Sequence, residues 1–310
     1  MKQFVGILIF TISTFAFFQM KEAHQVGGYL SYRCVGTSGP TALDYEIVFR
    51  FYVDTSSLGP GNTPRNIMPI SVFSSSNNFL RIFNLENQIS ITNIPDDLNN
   101  PCVVSSPSRP VREYLYRDTI SLPSNQAFKL SFQRCCKNNL LTNLDNANTV
   151  GNSSFYGNTF MIEIPIPNGG NSCAAANSTP VFNSPPPTVI CSGFDINLDM
   201  SAVDPDGDSL VYSLCAPFDF NQDQANSSPR GVVPDTALPP PYTTVRFNSS
   251  QSGANPIPSS PQIVIDPQTG LMTGTPTSVG DYLLGFCVDE YRNGVLINTF
   301  RRDIQIATAN

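Results

Sequence analysis

Three aspartates at alternate positions, in Ala202-Val-Asp-Pro-Asp-Gly-Asp208, are the residues of this chain best spaced to do chemistry. Asp204, Asp206 and Asp208 bunch hard oxygen donors around Gly207. Calcium takes six to eight such oxygens at short range, so the three are candidate calcium ligands. Asp289 and Glu290 are candidate additional ligands. The competing expectation is an Asp-Pro-Asp-Gly turn whose carboxylates bond their own backbone. Three close carboxylates without a cation would repel one another and raise their own pKa values.

Catalytic chemistry finds little else to work with. The sequence contains one histidine, His24. Ser-His-Asp and Cys-His systems need a positioned base, usually histidine. One imidazole leaves most positions of a metal site unfilled. A carboxylate pair can hydrolyse a glycoside, but Asp289 and Glu290 are adjacent, and on a strand their side chains diverge. Sugar sites commonly stack on aromatics. Tryptophan is absent, which leaves tyrosines such as Tyr114, Tyr116, Tyr242 and Tyr291. The expected activity is therefore non-catalytic, with a glycan-binding adhesin domain as the alternative and a secreted hydrolase as a weaker one.

The elements that must position these residues are strands. In Tyr45–Val53, Tyr45, Ile47, Phe49 and Phe51 share one face while Glu46 and Arg50 share the other. Phe128, Leu130 and Phe132 alternate with Lys129, Ser131 and Gln133. Gly28–Cys34, Pro69–Phe73, Leu80–Asn84, Ile89–Ile94, Arg112–Leu122 and Phe160–Ile166 complete eight strands of an expected sandwich. The connection from Lys137 to Asn158 is long for a compact domain. Further on, Phe194, Ile196, Leu198 and Met200 alternate with polar residues. Asp266-Pro-Gln-Thr-Gly270 connects two short strands. Arg292-Asn-Gly294 between apolar runs is a hairpin signal. Asn221–Pro241 reads as a polar excursion. Prolines and glycines in 165–187 mark a linker. The expected organisation is a signal peptide over 1–23, a β-sandwich over 24–170, a linker over 171–187 and a second β-sandwich over 188–310.

Bulk properties narrow the setting. Hydrophobic content of 40% and charged content of 13% describe a foldable chain with an uncharged surface. Twenty-seven prolines favour short strands over long helices. Lys2 followed by an apolar stretch from Phe4 to Phe18 has the form of a secretion signal, cleaved near Ala23 and too short to span a bilayer. No later segment could span. Eight cysteines in an exported chain read as disulfides, and no CxxC pair supports zinc. Cys34, Cys102, Cys135 and Cys136 precede the linker boundary, while Cys173, Cys191, Cys215 and Cys287 follow it, so each half can close its own pairs. Neighbouring Cys135 and Cys136 would each pair elsewhere, with Cys34 and Cys102. Cys173–Cys191 would staple the linker and Cys215–Cys287 would join two strands. Residues 171–310 carry five basic and thirteen acidic side chains, against ten of each in 24–170. That balance argues against nucleic acid and anionic membranes as partners. A protein or glycan on a surface remains.

Several segments together resemble a known class. His24-Gln-Val-Gly-Gly-Tyr-Leu-Ser-Tyr-Arg-Cys34, Tyr45–Tyr52, Cys135-Cys-Lys-Asn138, Pro180–Cys191 and Asp289–Ile297 are similar to the N-terminal region of gliding-motility-associated, PKD-domain-type surface proteins. That resemblance implies export and display on, or release from, the cell surface. The second half alone resembles cadherin-like and bacterial immunoglobulin-like modules, through its Asp-x-Asp turn, its Tyr-Ser-Leu strand and Thr-Gly-Leu-x-x-Gly-Thr-Pro. In cadherin-like modules the residues matching Asp204 and Asp206 help hold calcium at a domain junction. Here the linker supplies Ala-Asn-Ser-Thr-Pro where those modules carry acids, and the first half shows no obvious donor.

Overall fold

The computed structural model describes residues 25–56, 64–95, 110–135, 137, 140–145, 156–220 and 236–310. The expected signal peptide and His24 lie outside the described residues, as do Cys102 and Cys136. The described residues are all-β, with no helix among them and several open sheets. None of them forms a helix long and apolar enough to cross a membrane.

In chain order the strands are β1 (Gln25–Thr37), β2 (Ala42–Asp54), β3 (Met68–Ser74), β4 (Phe79–Leu85), β5 (Gln88–Ile94), β6 (Val111–Pro123), β7 (Phe128–Cys135), β8 (Gly157–Ile164) and β9 (Val181–Phe182). There follow β10 (Val189–Cys191), β11 (Ile196–Asp199), β12 (Ala202–Val203), β13 (Ser209–Cys215), β14 (Val264–Ile265), β15 (Leu271–Gly274), β16 (Gly280–Arg292) and β17 (Val295–Ala309). Every strand expected before the linker has its counterpart here. Alternation drives them. Tyr45, Ile47, Phe49 and Phe51 are buried on one face of β2, while Glu46 and Arg50 are only half-buried. The hairpin signal also holds: β16 and β17 meet at Asn293 (φ 54°) and Gly294 (φ 76°), the two positive dihedrals of a type I′ turn.

The main sheet runs β13-β16-β17-β1-β2-β6-β5, with β10 added in parallel on β17. Strands from both sides of residues 171–187 thus share one sheet. The join is β1, which pairs antiparallel with β2 along most of its length and with β17 at Gly27↔Ile304 and Gly28↔Asp303. A four-stranded sheet, β4-β3-β7-β8, lies over one end. The core between them is largely aromatic: Phe49 sits 4.9 Å from Phe132 and 5.5 Å from Phe160, measured between ring centroids. A second core lies on the other side, where Tyr29 and Tyr52 pack with Phe182, Phe286 and Phe300 beneath β11 and β15. Phe49→Ala should therefore cost about 3–5 kcal/mol, read as a fall in the urea midpoint.

The sulfur pairing corrects the expectation for the first half. Cys34 bonds Cys173, not Cys135 or Cys136, and this also overturns Cys173–Cys191. Cys191 is itself disulfide-bonded. Cys215–Cys287 is present as expected. The halves do not close their pairs separately, because residues 173–179 run back along β1. There Thr179 donates its backbone N–H to Tyr32 O at 2.9 Å, and its hydroxyl oxygen accepts from Tyr32 N at 2.9 Å. These disulfides are compatible with an oxidising compartment.

A candidate cation site

Asp204 sits just after β12, and its turn delivers all three aspartates to one point. Their carboxylate oxygens lie within 4.8 Å of one another. The turn is the local one expected from Asp-Pro-Asp-Gly. Asp204 Oδ1 accepts the backbone N–H of Asp206 at 2.8 Å and of Asp208 at 3.0 Å. Gly207 takes φ 82°, a conformation glycine adopts without steric cost.

Two further elements close the site. The β13–β16 ladder sets Leu210 opposite Glu290. Glu290 is fully buried and accepts Asn177 Nδ2 on Oε2 at 3.0 Å. The linker residue Asn177 also donates to the Tyr32 hydroxyl at 3.3 Å. Ser178 donates its backbone N–H to Asp206 Oδ2 at 2.6 Å. Arg292 forks onto Asp208 at 2.8 and 2.6 Å, reaches Asn177 Oδ1 at 3.0 Å and lies 3.6 Å from Asp206. Asp289 is not part of the cluster. It points to the opposite face of β16 and accepts the Thr299 hydroxyl at 2.7 Å, as neighbours on a strand must.

The linker segment Ala-Asn-Ser-Thr-Pro, which lacks acids, nevertheless reaches the aspartates and supplies amide and hydroxyl partners. Tyr32 belongs to the first half. Sequence reasoning missed Asn177, Ser178 and Arg292. Arg292 stands directly before the Asn-Gly turn, so its reach back to the aspartates depends on the β16 register.

Charge in the site is unbalanced. Four carboxyls meet one guanidinium. Asp204 Oδ2 and Glu290 Oε1 are both buried, and the two side chains interact, a meeting of carboxyls that is costly when both are charged and favours a proton on Glu290. Burial, and behind it the Asp204 charge, pushes Glu290 up to about 8. Burial likewise pushes Asp206 up, against the Ser178 N–H and the Arg292 charge. In chelator, therefore, Glu290 keeps its proton in the fold and loses it when unfolded. Its folded pKa lies above its ordinary 4.5, so stability falls as pH climbs from about 4.5 to about 8. Glu290→Gln should flatten that slope in thermal melts across this window. Arg292→Ala should cost about 2–3 kcal/mol, because it strands the nearly buried Asp208 carboxylate.

Of the tyrosines considered for sugar stacking, Tyr114, Tyr116 and Tyr242 are core residues at 4%, 0% and 9% exposure. A cleft of about 300 Å³ does exist elsewhere, lined by Tyr29, Tyr52 and Phe182 with the Arg50–Glu113 ion pair. In comparisons with known proteins, no family model, curated protein or solved structure matches this chain.

Proposed function

We propose that this chain is an exported, non-catalytic structural and adhesive module of the cell surface, of the gliding-associated kind. Its two immunoglobulin-like β-sandwich units, 24–170 and 188–310, act as one rigid body. The observation that carries this reading is β1, hydrogen-bonded to β2 on one edge and to β17 on the other, and bridged from Cys34 to Cys173. A chain joined in this way resists being pulled apart, because separating its halves must break the β1–β17 pairing and peel the linker from β1, where the Cys34–Cys173 bridge anchors its start. Phe79, Leu80, Ile89 and Ile91, at 45–52% exposure on the edge strands β4 and β5, support an adhesive role. Exposed apolar residues on sheet edges favour association.

Calcium fits the module as a clamp. Asp204, Asp206 and Glu290 would hold it, with the buried Asp204 Oδ2 and Glu290 Oε1 as its first oxygens once calcium displaces the Glu290 proton. The ion would neutralise the surplus charge where the linker meets the second half. A glycan ligand is the second reading, favoured by the polar edge of the cleft at Arg50, Thr92, Asn93 and Glu113, since Tyr29, Tyr52 and Phe182 are core residues that offer no open ring face.

Surface labelling of intact source cells tests the location. Antibody should reach a tagged chain without permeabilisation, and a tag protected until lysis would overturn the reading. Single-molecule pulling tests the mechanics: one cooperative rupture is expected, and two separate low-force steps would count against a rigid body. For calcium, the melting temperature should rise in calcium relative to chelator, by the equivalent of about 2.7 kcal/mol at a hundredfold excess over Kd. Glu290→Gln should abolish most of that rise. An unchanged melting temperature removes calcium but leaves the module intact. A glycan array separates the sugar reading, whose signal should fall with Asn93→Ala at the exposed edge of the cleft.

A further inference from the structure

Lys137 stands just beyond β7, and Asn158 is the second residue of β8, so they face each other across the base of the segment 138–157. Their side chains meet in the interior. Lys137 Nζ lies 2.6 Å from Asn158 Oδ1, with Lys137 at 3% exposure and Asn158 at 1%. Asn158 Nδ2 donates to Gln25 Oε1 at 2.9 Å, which holds the amide with its carbonyl toward the lysine.

A buried lysine is ordinarily matched by a carboxylate bonded to it. Here its bonding partner is a neutral amide. Two acids act on Lys137 from nearby, Asp303 and Asp219. Asp219 is already claimed, since its Oδ1 accepts the N–H groups of Gly157 and Phe220 at 2.9 and 2.7 Å. Asp303, on β17, is 1% exposed, and neither of its carboxylate oxygens has a hydrogen-bond partner. The other charge beside Asp303 is Arg301, which is occupied with Ala216 O at 2.8 Å and the Phe218 ring at 3.8 Å. Burial pushes Lys137 down, and burial pushes Asp303 up to about 6. Burial thus disfavours the charged form of each group, the ammonium of Lys137 and the carboxylate of Asp303.

We propose that Lys137 and Asn158 join in an intramolecular isopeptide bond, with the Asp303 carboxyl relaying the proton. The free amine of Lys137 is the nucleophile, and its target, Asn158 Cγ, lies one bond (about 1.2 Å) beyond the oxygen it already touches. Attack forms the Nζ–Cγ bond and a tetrahedral centre. The Nζ proton passes to the carboxyl, which gives a proton to Nδ2. The Cγ–Nδ2 bond then breaks and ammonia leaves. Amine plus primary amide becomes secondary amide plus ammonia, with no change of oxidation state and no co-reactant. The product seals the 138–157 segment at its base, next to the sheet join at Gly27 and Gly28. Lys129 touches Asn77 Oδ1 at 2.9 Å in a half-buried setting without that enclosure, and it serves as the internal control.

The test is peptide mapping of the full, folded chain after disulfide reduction. Trypsin should fail to cut after Lys137, and the fragment from Cys135 to Arg230 should be lighter than its sequence by one ammonia. Lys137→Arg should restore both the cut and the full mass, while Lys129→Arg should leave the deficit in place. Asp303→Asn should slow formation of the bond by at least about a hundredfold, followed as the joined fraction over time. Release of the fragment beginning at Asn138 from folded wild-type protein, at full sequence mass, overturns the bond. Unchanged kinetics in Asp303→Asn overturn the relay.

Discussion

Replacing Gly27 with alanine is expected to cost about 3–5 kcal/mol, a large share of a total stability of about 5–15 kcal/mol. A Cβ at Gly27 would land on the backbone carbonyl of Asp303, well inside contact distance. The neighbour at Gly28 would meet Arg50 O at 2.6 Å. Both residues hold φ near +155°, a region that L side chains rarely enter (153° and 157°). Neither obstacle can swing away, since both are backbone atoms of the strands that β1 joins. The loss should appear as a large drop in the urea midpoint. Gly39→Ala provides the comparison. It also has positive φ, at 79°, but a Cβ there meets nothing within 4 Å, so only the cost of the dihedral, about 1 kcal/mol, is expected. Equal losses at the two positions would mean that the close passage between β1 and β17 contributes little.

Removing the Cys34–Cys173 bridge as a double serine variant should cost about 2–5 kcal/mol. The bridge spans 139 residues of sequence, and a longer closed loop restrains the unfolded chain more. It also pins the linker residues that follow it, Asn177 and Ser178, onto Tyr32, Glu290 and Asp206. The variant should therefore lose part of any calcium-induced rise in melting temperature as well as basal stability. Cys215–Cys287 spans 72 residues and joins β13 to β16, which already share a full ladder. Its removal should cost less. Denaturant melts of the two double variants, side by side, check the order. Reversal of that order would show that the linker is held by its hydrogen bonds alone.

Much of the fold was legible in residues whose signal is local. Alternation in Tyr45–Phe51 and Phe128–Phe132 marks strands, because side chains on a pleated backbone must face alternately inward and outward. Asn293-Gly294 marks its hairpin because few residues tolerate two successive positive φ angles. The Asp204 turn was readable for the same reason, its carboxylate bonding amides two and four residues on. Readings that needed long-range partners fared differently. Cys34 was expected to pair within its own half, yet its partner is brought by a linker that returns along β1. Asp289 and Glu290 looked equivalent as candidate ligands. Only the β13–β16 register decides which of them turns toward Asp204 and which toward Thr299.

By itself, then, the sequence determined the kind of element this chain builds, the turns between those elements, and the clustering of three aspartates in one loop. Each of these follows from steric and hydrogen-bonding preferences spanning only a few residues. Tertiary structure alone decided that β1 is shared by both halves, that Asn177, Arg292 and Glu290 complete the acidic site, and that Lys137 faces Asn158 near Asp303. Those meetings join residues separated by 21 to more than 100 positions. They depend on strand order and packing, which no short window of sequence encodes.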